Sequence, residues 1–176
     1  MARHGETDDN RPPLCFQGHR DTPLNDTGRE QAHALAEKVV GQSVGRLYAS
    51  PLSRARETAE IVGARIGLEP TLDSRLMEGN RGRWEGRLFA DVERAEPEAY
   101  AAWRAAEPDF RFPGGESLHE HCERVLAALA DIGSAERPAL IVSHGGSIRM
   151  ALCHTSMRGL EAFHEWDVPN GALIEL

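Results

Sequence analysis

A chain of 176 residues, 40% hydrophobic and 27% charged with a formal net charge of −8, has the size and balance of one globular domain, 1–176, with a substantial core. The negative balance argues against nonspecific nucleic-acid binding, because a phosphate backbone is repelled on average, although a local arginine cluster can still hold a small anion. Cys15, Cys122 and Cys153 are too few and too scattered for a disulfide framework or a paired zinc motif, and no apolar run reads as a signal peptide or membrane span, so a cytoplasmic protein with reduced thiols and no membrane partner is expected.

Helical and strand patterns alternate along the chain, which predicts an α/β layered domain. Thr27-Gly28-Arg29-Glu30 has capping-box spacing and introduces an amphipathic helix with Ala32, Leu35, Ala36 and Val39 on one face and Gly41 at its end. Residues 47–50 read as a short strand. Pro51 suits the start of a helix that runs to about Ile66 with Ala55, Ala59 and Val62 inward. Ser117-Leu118-His119-Glu120 is a second capping box, after a Pro113-Gly114-Gly115 turn, and its helix spaces Leu118, Cys122, Val125, Leu129 and Ile132 for burial. The apolar run 139–142 reads as an interior parallel strand that delivers Ser143-His144-Gly145-Gly146 at its C-terminal end, where open α/β sheets bind ligands. Pro169-Asn170-Gly171 is a turn, and residues 172–175 are expected to form a last edge strand.

Separated segments carry groups of matching chemistry. Arg3 and His4 come first, Arg54 follows a strand-to-helix junction, Glu78 precedes a Gly- and Arg-rich stretch, and His144 closes the set. Phosphoryl transfer needs a nucleophile in line with the leaving oxygen, cationic donors on the equatorial oxygens and an acid for the departing alkoxide, and this set supplies each. Singly, each has a plainer reading: a helix-start arginine is usually solvated and a loop carboxylate usually faces water. Trp84 and Glu116 read as packing and turn residues. His119-Glu120-His121-Cys122 is rejected as a metal tract, because neighbouring helix positions point in different directions. His19, His33, His154 and His164 read as surface or incidental residues, and Arg81, Arg83 and Arg87 as a pocket extension or a solvated loop.

The order of the blocks is more specific. Arg3-His4-Gly5-Glu6-Thr7 with Asn10 resembles the R-H-G-E-T-x-x-N opening of the histidine phosphatase superfamily, in its phosphoglycerate-mutase-like branch. Gln17-Gly18 with Asp21-Thr22-Pro23-Leu24 resembles the next block of that branch, and Ser50-Pro51-Leu52-Ser53-Arg54-Ala55 with Thr58-Ala59 resembles S-x-L-x-R-A-x-x-T-A. Glu78, Gly82, Trp84, Glu85 and Gly86 resemble E-x-x-x-G-x-W-E-G. Pro113 to Ser117 and Val142 to Gly146 complete the series, so the resemblance spans essentially the whole chain. It implies a three-layer α/β/α sandwich with a mostly parallel central sheet. It also implies that His4 carries the phosphoryl group, that Arg3, Arg54 and His144 line the phosphate pocket, and that Glu78 passes protons. Asn10, Gln17, Gly18 and the Gly145 N–H are implied to bind phosphate or the adjoining substrate, with no metal and no other cofactor. Only Met1 and Ala2 precede Arg3, so the first strand is expected to be truncated, with His4 on a fraying end if the chain starts there, and Arg11-Pro12-Pro13-Leu14 makes the following loop unusual.

The expected activity is hydrolysis of small phosphorylated metabolites. A 2,3-bisphosphoglycerate-dependent phosphoglycerate mutase is the alternative, but the segment 87–112 is short and mixed in charge where mutases carry added basic residues. A non-catalytic anion-binding member of the same fold is the other alternative.

Overall fold

The computed structural model describes residues 1–107, 109–134 and 138–176. Strands β1 (Ala2–Arg3), β2 (Arg46–Ala49), β3 (Thr71–Leu72) and β4 (Ala139–Ser143) form a sheet in the order β1-β4-β2-β3, every pair parallel. In β4 the residues Leu140, Ile141 and Val142 are all buried, as expected of a strand covered on both faces. Helices α1 (Asp26–Val39) and α2 (Ser53–Ile66) cover one face, where Leu35, Val39, Ala55, Ala59 and Val62 meet Leu47, Leu140 and Val142. Helices α5 (Leu118–Gly133) and α6 (Gly145–Thr155) cover the other, where Ala128, Ile132, Ile148 and Ala151 pack with Ile141. The sandwich is the α/β/α arrangement expected. Packed with Leu118 and Val125 of α5 and Met150 of α6, α3 (Phe89–Ala95) and α4 (Pro97–Arg104) close an aromatic core in which Phe16, Trp103, Phe110 and Phe112 surround the fully buried Trp84.

Several local expectations are corrected. Thr27 does not cap α1; Asn25 does, because its side chain accepts the Gly28 N–H at 2.8 Å while its own N–H is fixed on Glu6 O. Gly28 then lies against the chain that follows His4: a Cβ on Gly5 would sit 2.1 Å from Gly28 O. Helix α2 starts at Ser53 rather than at Pro51, with the Asp21 carboxylate accepting the Ser53 N–H. The Ser117 capping box is present in both its hydrogen bonds. Residues 172–175 form no edge strand but a single antiparallel bridge, Leu173 to Ala2, since β1 offers only two residues to pair with.

That short first strand does not leave His4 fraying. Arg3 and Ala2 pair with Ser143 and Val142, the His4 N–H donates to Ser143 O, and Ile174 N donates to Met1 O on the outer side. The His4 carbonyl accepts from Gly171 N and from Asn170 Nδ2. Backbone bonds on both flanks hold this two-residue strand in place.

Candidate functional site

The C-terminal ends of β1, β2 and β4 deliver Arg3-His4, Ser50 with Arg54 on α2, and His144 with Gly145 on α6. The loop after β3 adds Glu78. The His4 and His144 rings lie 5.1 Å apart between centroids, and His4, Arg54 and His144 are each 2% exposed or less. His4 Nδ1 is 2.6 Å from its neighbour's carbonyl, Gly5 O, which can only accept. Nδ1 therefore carries the proton and Nε2 carries the free lone pair. His144 Nε2 pairs with Ser50 Oγ at 2.8 Å.

Both arginines are anchored by their outer nitrogens. Arg54 donates Nη1 to Arg20 O and Nη2 to Gly18 O, at 2.9 and 2.8 Å, and Arg3 donates Nη1 to Val168 O at 2.6 Å. Gly18 turns with φ +55°, and a Cβ there would meet Glu85 Oε1 at 2.3 Å. Arg3 Nε, Arg54 Nε and His144 Nδ1 are buried and have no protein partner. Buried polar atoms ordinarily find one, so nitrogens of this kind drawn from three segments make a place for an anion.

Glu78 stands at the edge of this group. Its Oε1 accepts Gly79 N at 2.8 Å and lies 3.3 Å from Arg81 Nη2, and its Oε2 accepts Gly146 N at 2.9 Å. Gly146 has to be glycine here, since a Cβ would fall 2.1 Å from Glu78 Oε1. Asn10 and Gln17 converge on Thr7: Asn10 Oδ1 accepts the Thr7 N–H and Oγ1–H, and Gln17 Nε2 donates to Thr7 Oγ1. Asn170 joins this pair to His4 by donating to both Asn10 Oδ1 and His4 O. The unusual 11–14 loop thus leaves Asn10 and Gln17 beside the site.

Electrostatics divides these groups. Burial pushes the His4 imidazole well below its ordinary pKa, and the Arg54 and Arg3 guanidiniums push the same way, so His4 is neutral. Burial, Arg54 and His4 do the same to His144. Burial also brings Arg3 down to about 10, still charged at neutral pH. Burial would raise Glu78, but the Arg81 guanidinium, the His121 and His144 imidazoles and the Gly146 N–H outweigh it and hold its carboxyl well below the usual carboxylate range.

Residues read as incidental prove to support the site. His121, rejected with its neighbours as a metal tract, is buried with Nε2 2.9 Å from Ser147 Oγ and 3.9 Å from Glu78 Oε1. Its place three residues after Leu118 and four before Val125 was the signal, since both neighbours on that face are buried. Arg81 is no solvated loop residue: it is 7% exposed, stacked 4.4 Å over the Phe112 ring and paired with Glu78. His19 bonds Glu78 O through Nε2. Glu116, read as a turn residue, accepts Asn80 N and two bonds from Arg124, whose other donors hold Arg75 O, Met77 O and Glu78 O. Among the described residues, no group of three or more His, Cys, Asp or Glu side chains is placed to hold a metal ion, and no helix is long and apolar enough to cross a membrane.

Known proteins share this arrangement of chain. The chain is 38% identical over 155 residues to phosphoglycerate mutase-like protein 4 of Arabidopsis thaliana, covering 85% of this chain and 66% of that protein, so it spans just under two thirds of that relative's length. It is 37% identical over 182 residues to a glucosyl-3-phosphoglycerate phosphatase of Mycolicibacterium vanbaalenii, covering 97% of this chain and 78% of the relative. A solved mycobacterial glucosyl-3-phosphoglycerate phosphatase in complex with VO3 superposes with a TM-score of 0.86 at 32% identity, covering 97% of this chain and 87% of the other. A phosphoserine phosphatase of Entamoeba histolytica in complex with 3-phosphoglyceric acid superposes at 0.84 and 25% identity, covering 97% and 85%. The profile of the histidine phosphatase superfamily (branch 1) matches residues 1–176, the span that carries the paired imidazoles, the two anchored arginines and the loop carboxylate, and the chain belongs to that family.

Proposed function

We propose that the protein is a phosphatase that hydrolyses small phosphomonoesters through a phosphohistidine at His4. The observation that carries this reading is the His4 tautomer: Nδ1 is committed to Gly5 O, so the Nε2 lone pair is free beside the unpartnered nitrogens of Arg3, Arg54 and His144. Nε2 attacks phosphorus while the guanidiniums and His144 hold the equatorial oxygens. Glu78, ionised in the free protein, takes up the proton that the ester monoanion brings, and as the ester P–O bond breaks it passes that proton to the departing alkoxide. Water then attacks the phosphohistidine and loses a proton to Glu78, the P–N bond breaks, and inorganic phosphate leaves a neutral His4. Asn10, Gln17, Gly18 and the Gly145 N–H bound the substrate side of the pocket. Positive charge comes from the side chains, so the reaction is expected to need no metal or other cofactor.

Hydrolysis is favoured over mutase activity by what the segment 87–112 does with its arginines. Arg87 pairs with Glu96, Arg94 with Asp91, and Arg111 with Glu120 of α5. These three guanidiniums are paired with carboxylates and not held out toward a second acidic group, while the fourth, Arg104, lies over the Trp103 ring. The relatives include both phosphatases and proteins named for phosphoglycerate mutase, so the acceptor is the point to test. Purified protein should release inorganic phosphate from p-nitrophenyl phosphate with chelator present, and should fail to interconvert 2- and 3-phosphoglycerate in a coupled assay with 2,3-bisphosphoglycerate. Mutase turnover exceeding phosphate release would overturn the reading, and absence of both would favour the anion-binding alternative.

A further inference from the structure

The buried histidine on α5 has no place in the chemistry above, yet its hydrogen bonds fix which edge it turns toward the site. Ser147 Oγ lies 2.9 Å from Met77 O, a group that can only accept, so the serine proton is spent there. Ser147 Oγ is then left as an acceptor, and His121 Nε2, 2.9 Å away, must be the donor. That Nε2–H edge lies 3.9 Å from Glu78 Oε1. The opposite atom, Nδ1, carries a lone pair, is buried and has no partner. It faces a gap that only glycine leaves open: a Cβ on Gly79 would lie 2.8 Å from His121 Nδ1 and 3.1 Å from Arg81 Nη1, itself a buried donor without a partner. The imidazole is thus set between a guanidinium at its acceptor edge and a carboxylate at its donor edge.

We propose that His121 is a positioning residue for Glu78: held neutral between Ser147 and Arg81, it presents its N–H edge to the carboxylate and sets how readily that group takes and releases a proton. The inference rests on the assignment of Glu78 to proton transfer, and on two observations independent of it, the Ser147 hydrogen-bond direction and the Gly79 gap. A protonated His121 would repel the guanidiniums of Arg81 and Arg124 that flank it, with only Glu78 and Glu116 to offset them. Burial is the largest influence and carries its pKa down to about 3, so it remains an uncharged dipole across the working range. Around Glu78 itself stand Arg81, His121, His144 and the Gly146 N–H, with Arg3, Arg54 and Arg149 further off. Of these, His121 is the neutral donor on the α5 side. Removing its N–H leaves the carboxylate with less support for its negative form, so its proton affinity must rise.

The test compares His121→Gln, which can place an amide N–H near the Nε2 position, with His121→Asn, whose shorter amide falls near Nδ1. The proton affinity of Glu78 is read directly from the carboxyl carbon of glutamate-labelled protein, with the resonance assigned by its loss in Glu78→Gln. Asn should raise the Glu78 midpoint by about one pH unit, ~1.4 kcal/mol, and move the acid limb of kcat for p-nitrophenyl phosphate the same way, with KM changed less than kcat. Gln should stay near wild type in both. If Asn and Gln give the same midpoint, or if neither differs from wild type, the positioning role is wrong. If the midpoint moves as expected but no phosphate is ever released, the electrostatic link stands and the phosphatase reading alone falls.

Discussion

Replacing Glu78 with glutamine separates an acid from a mere neighbour of the phosphate. The substitution is close in shape, but its amide cannot donate a proton to a departing alkoxide. General acid catalysis of this kind contributes about 10²–10⁴-fold, which is about 2.7–5.4 kcal/mol of transition-state stabilisation. The loss should depend on the leaving group. An alkyl alkoxide is a strong base and needs the proton, whereas p-nitrophenolate is stable unprotonated near neutral pH. In the structure, Glu78 takes one backbone N–H on each oxygen, from Gly79 and Gly146, with Arg81 behind Oε1. Glutamine keeps an acceptor for only one of them, so about 1–3 kcal/mol of folding stability should also go, and thermal melts must accompany the kinetics.

The assay is kcat/KM, which reports only the steps through formation of the phosphohistidine. For an alkyl phosphate it should fall about 10²–10⁴-fold, and for p-nitrophenyl phosphate by less than about tenfold. Turnover of the aryl ester should instead slow after the first equivalent, with a burst of nitrophenolate, because the same carboxylate serves as base toward water in the second half. Equal losses of kcat/KM for the two esters, with folding intact, would refute the acid assignment and leave Glu78 as a charge that merely shapes the pocket.

Five further expectations follow from the same geometry. His4→Ala should abolish turnover and the acid-labile phosphoenzyme seen with a labelled ester; label retained in that variant would move the nucleophile elsewhere. Arg54→Lys should lower kcat/KM by about 10²-fold and weaken inhibition by inorganic phosphate, because one ammonium cannot hold Gly18 O, Arg20 O and an anion together. Gly146→Ala puts a methyl 2.1 Å from Glu78 Oε1, and should cut kcat for alkyl phosphates while leaving Arg3 and Arg54 in place, which a KM near wild type would report. Glu78 is ionised in the free protein, so its proton must arrive with the phosphate monoanion, and kcat/KM should fall about tenfold per pH unit above the ester's second pKa of about 6. The same depressed carboxyl stabilises the fold fully above its unfolded value of about 4.3, and that contribution should be lost as pH falls below it, read as a drop in Tm that Glu78→Gln lacks.

What could be read from the residues was whatever the backbone itself dictates. His144 follows an apolar run and Arg54 sits at a helix start, so period and turn chemistry placed those two, whereas Arg3-His4, with only two residues before them, were placed by the resemblance in the order of the blocks. The supporting shell depends on contacts between elements far apart in sequence. Nothing local marks Arg81 as different from Arg83; what separates them is that Phe112 lies under one guanidinium and Glu78 beside it. His121 looked like part of a polar tract because His119 and Glu120 flank it, although its spacing from Leu118 and Val125 already placed it on the buried face. Helices α3 and α4, of 7 and 8 residues, are too short for a helical period to show through their mixed charge. Pro97 in the first turn of α4 was the one local mark of a start there.

The overall charge of −8 and a pocket built for anions are compatible because they act over different distances. Exposed charges are screened over about 8 Å at physiological salt, so the acidic surface mainly slows the approach of a distant anion. Inside the pocket the guanidiniums of Arg3 and Arg54 are desolvated and fixed by backbone carbonyls, which costs them water before any ligand arrives and shows in their lowered pKa values. An anion that reaches them meets donors already stripped and oriented, in surroundings where each contact counts for more than at the surface. The carboxylates of Glu78, Asp21 and Glu85 act on Arg54 as well, but each also accepts donors of its own. Glu78 is held by Gly79, Gly146 and Arg81, Glu85 accepts His19 N and Arg81 N, and Asp21 caps the start of α2. On the proposed reading, selectivity for phosphate would reside in how those acids are occupied, and freeing any one of them should cost anion affinity even where no arginine is touched.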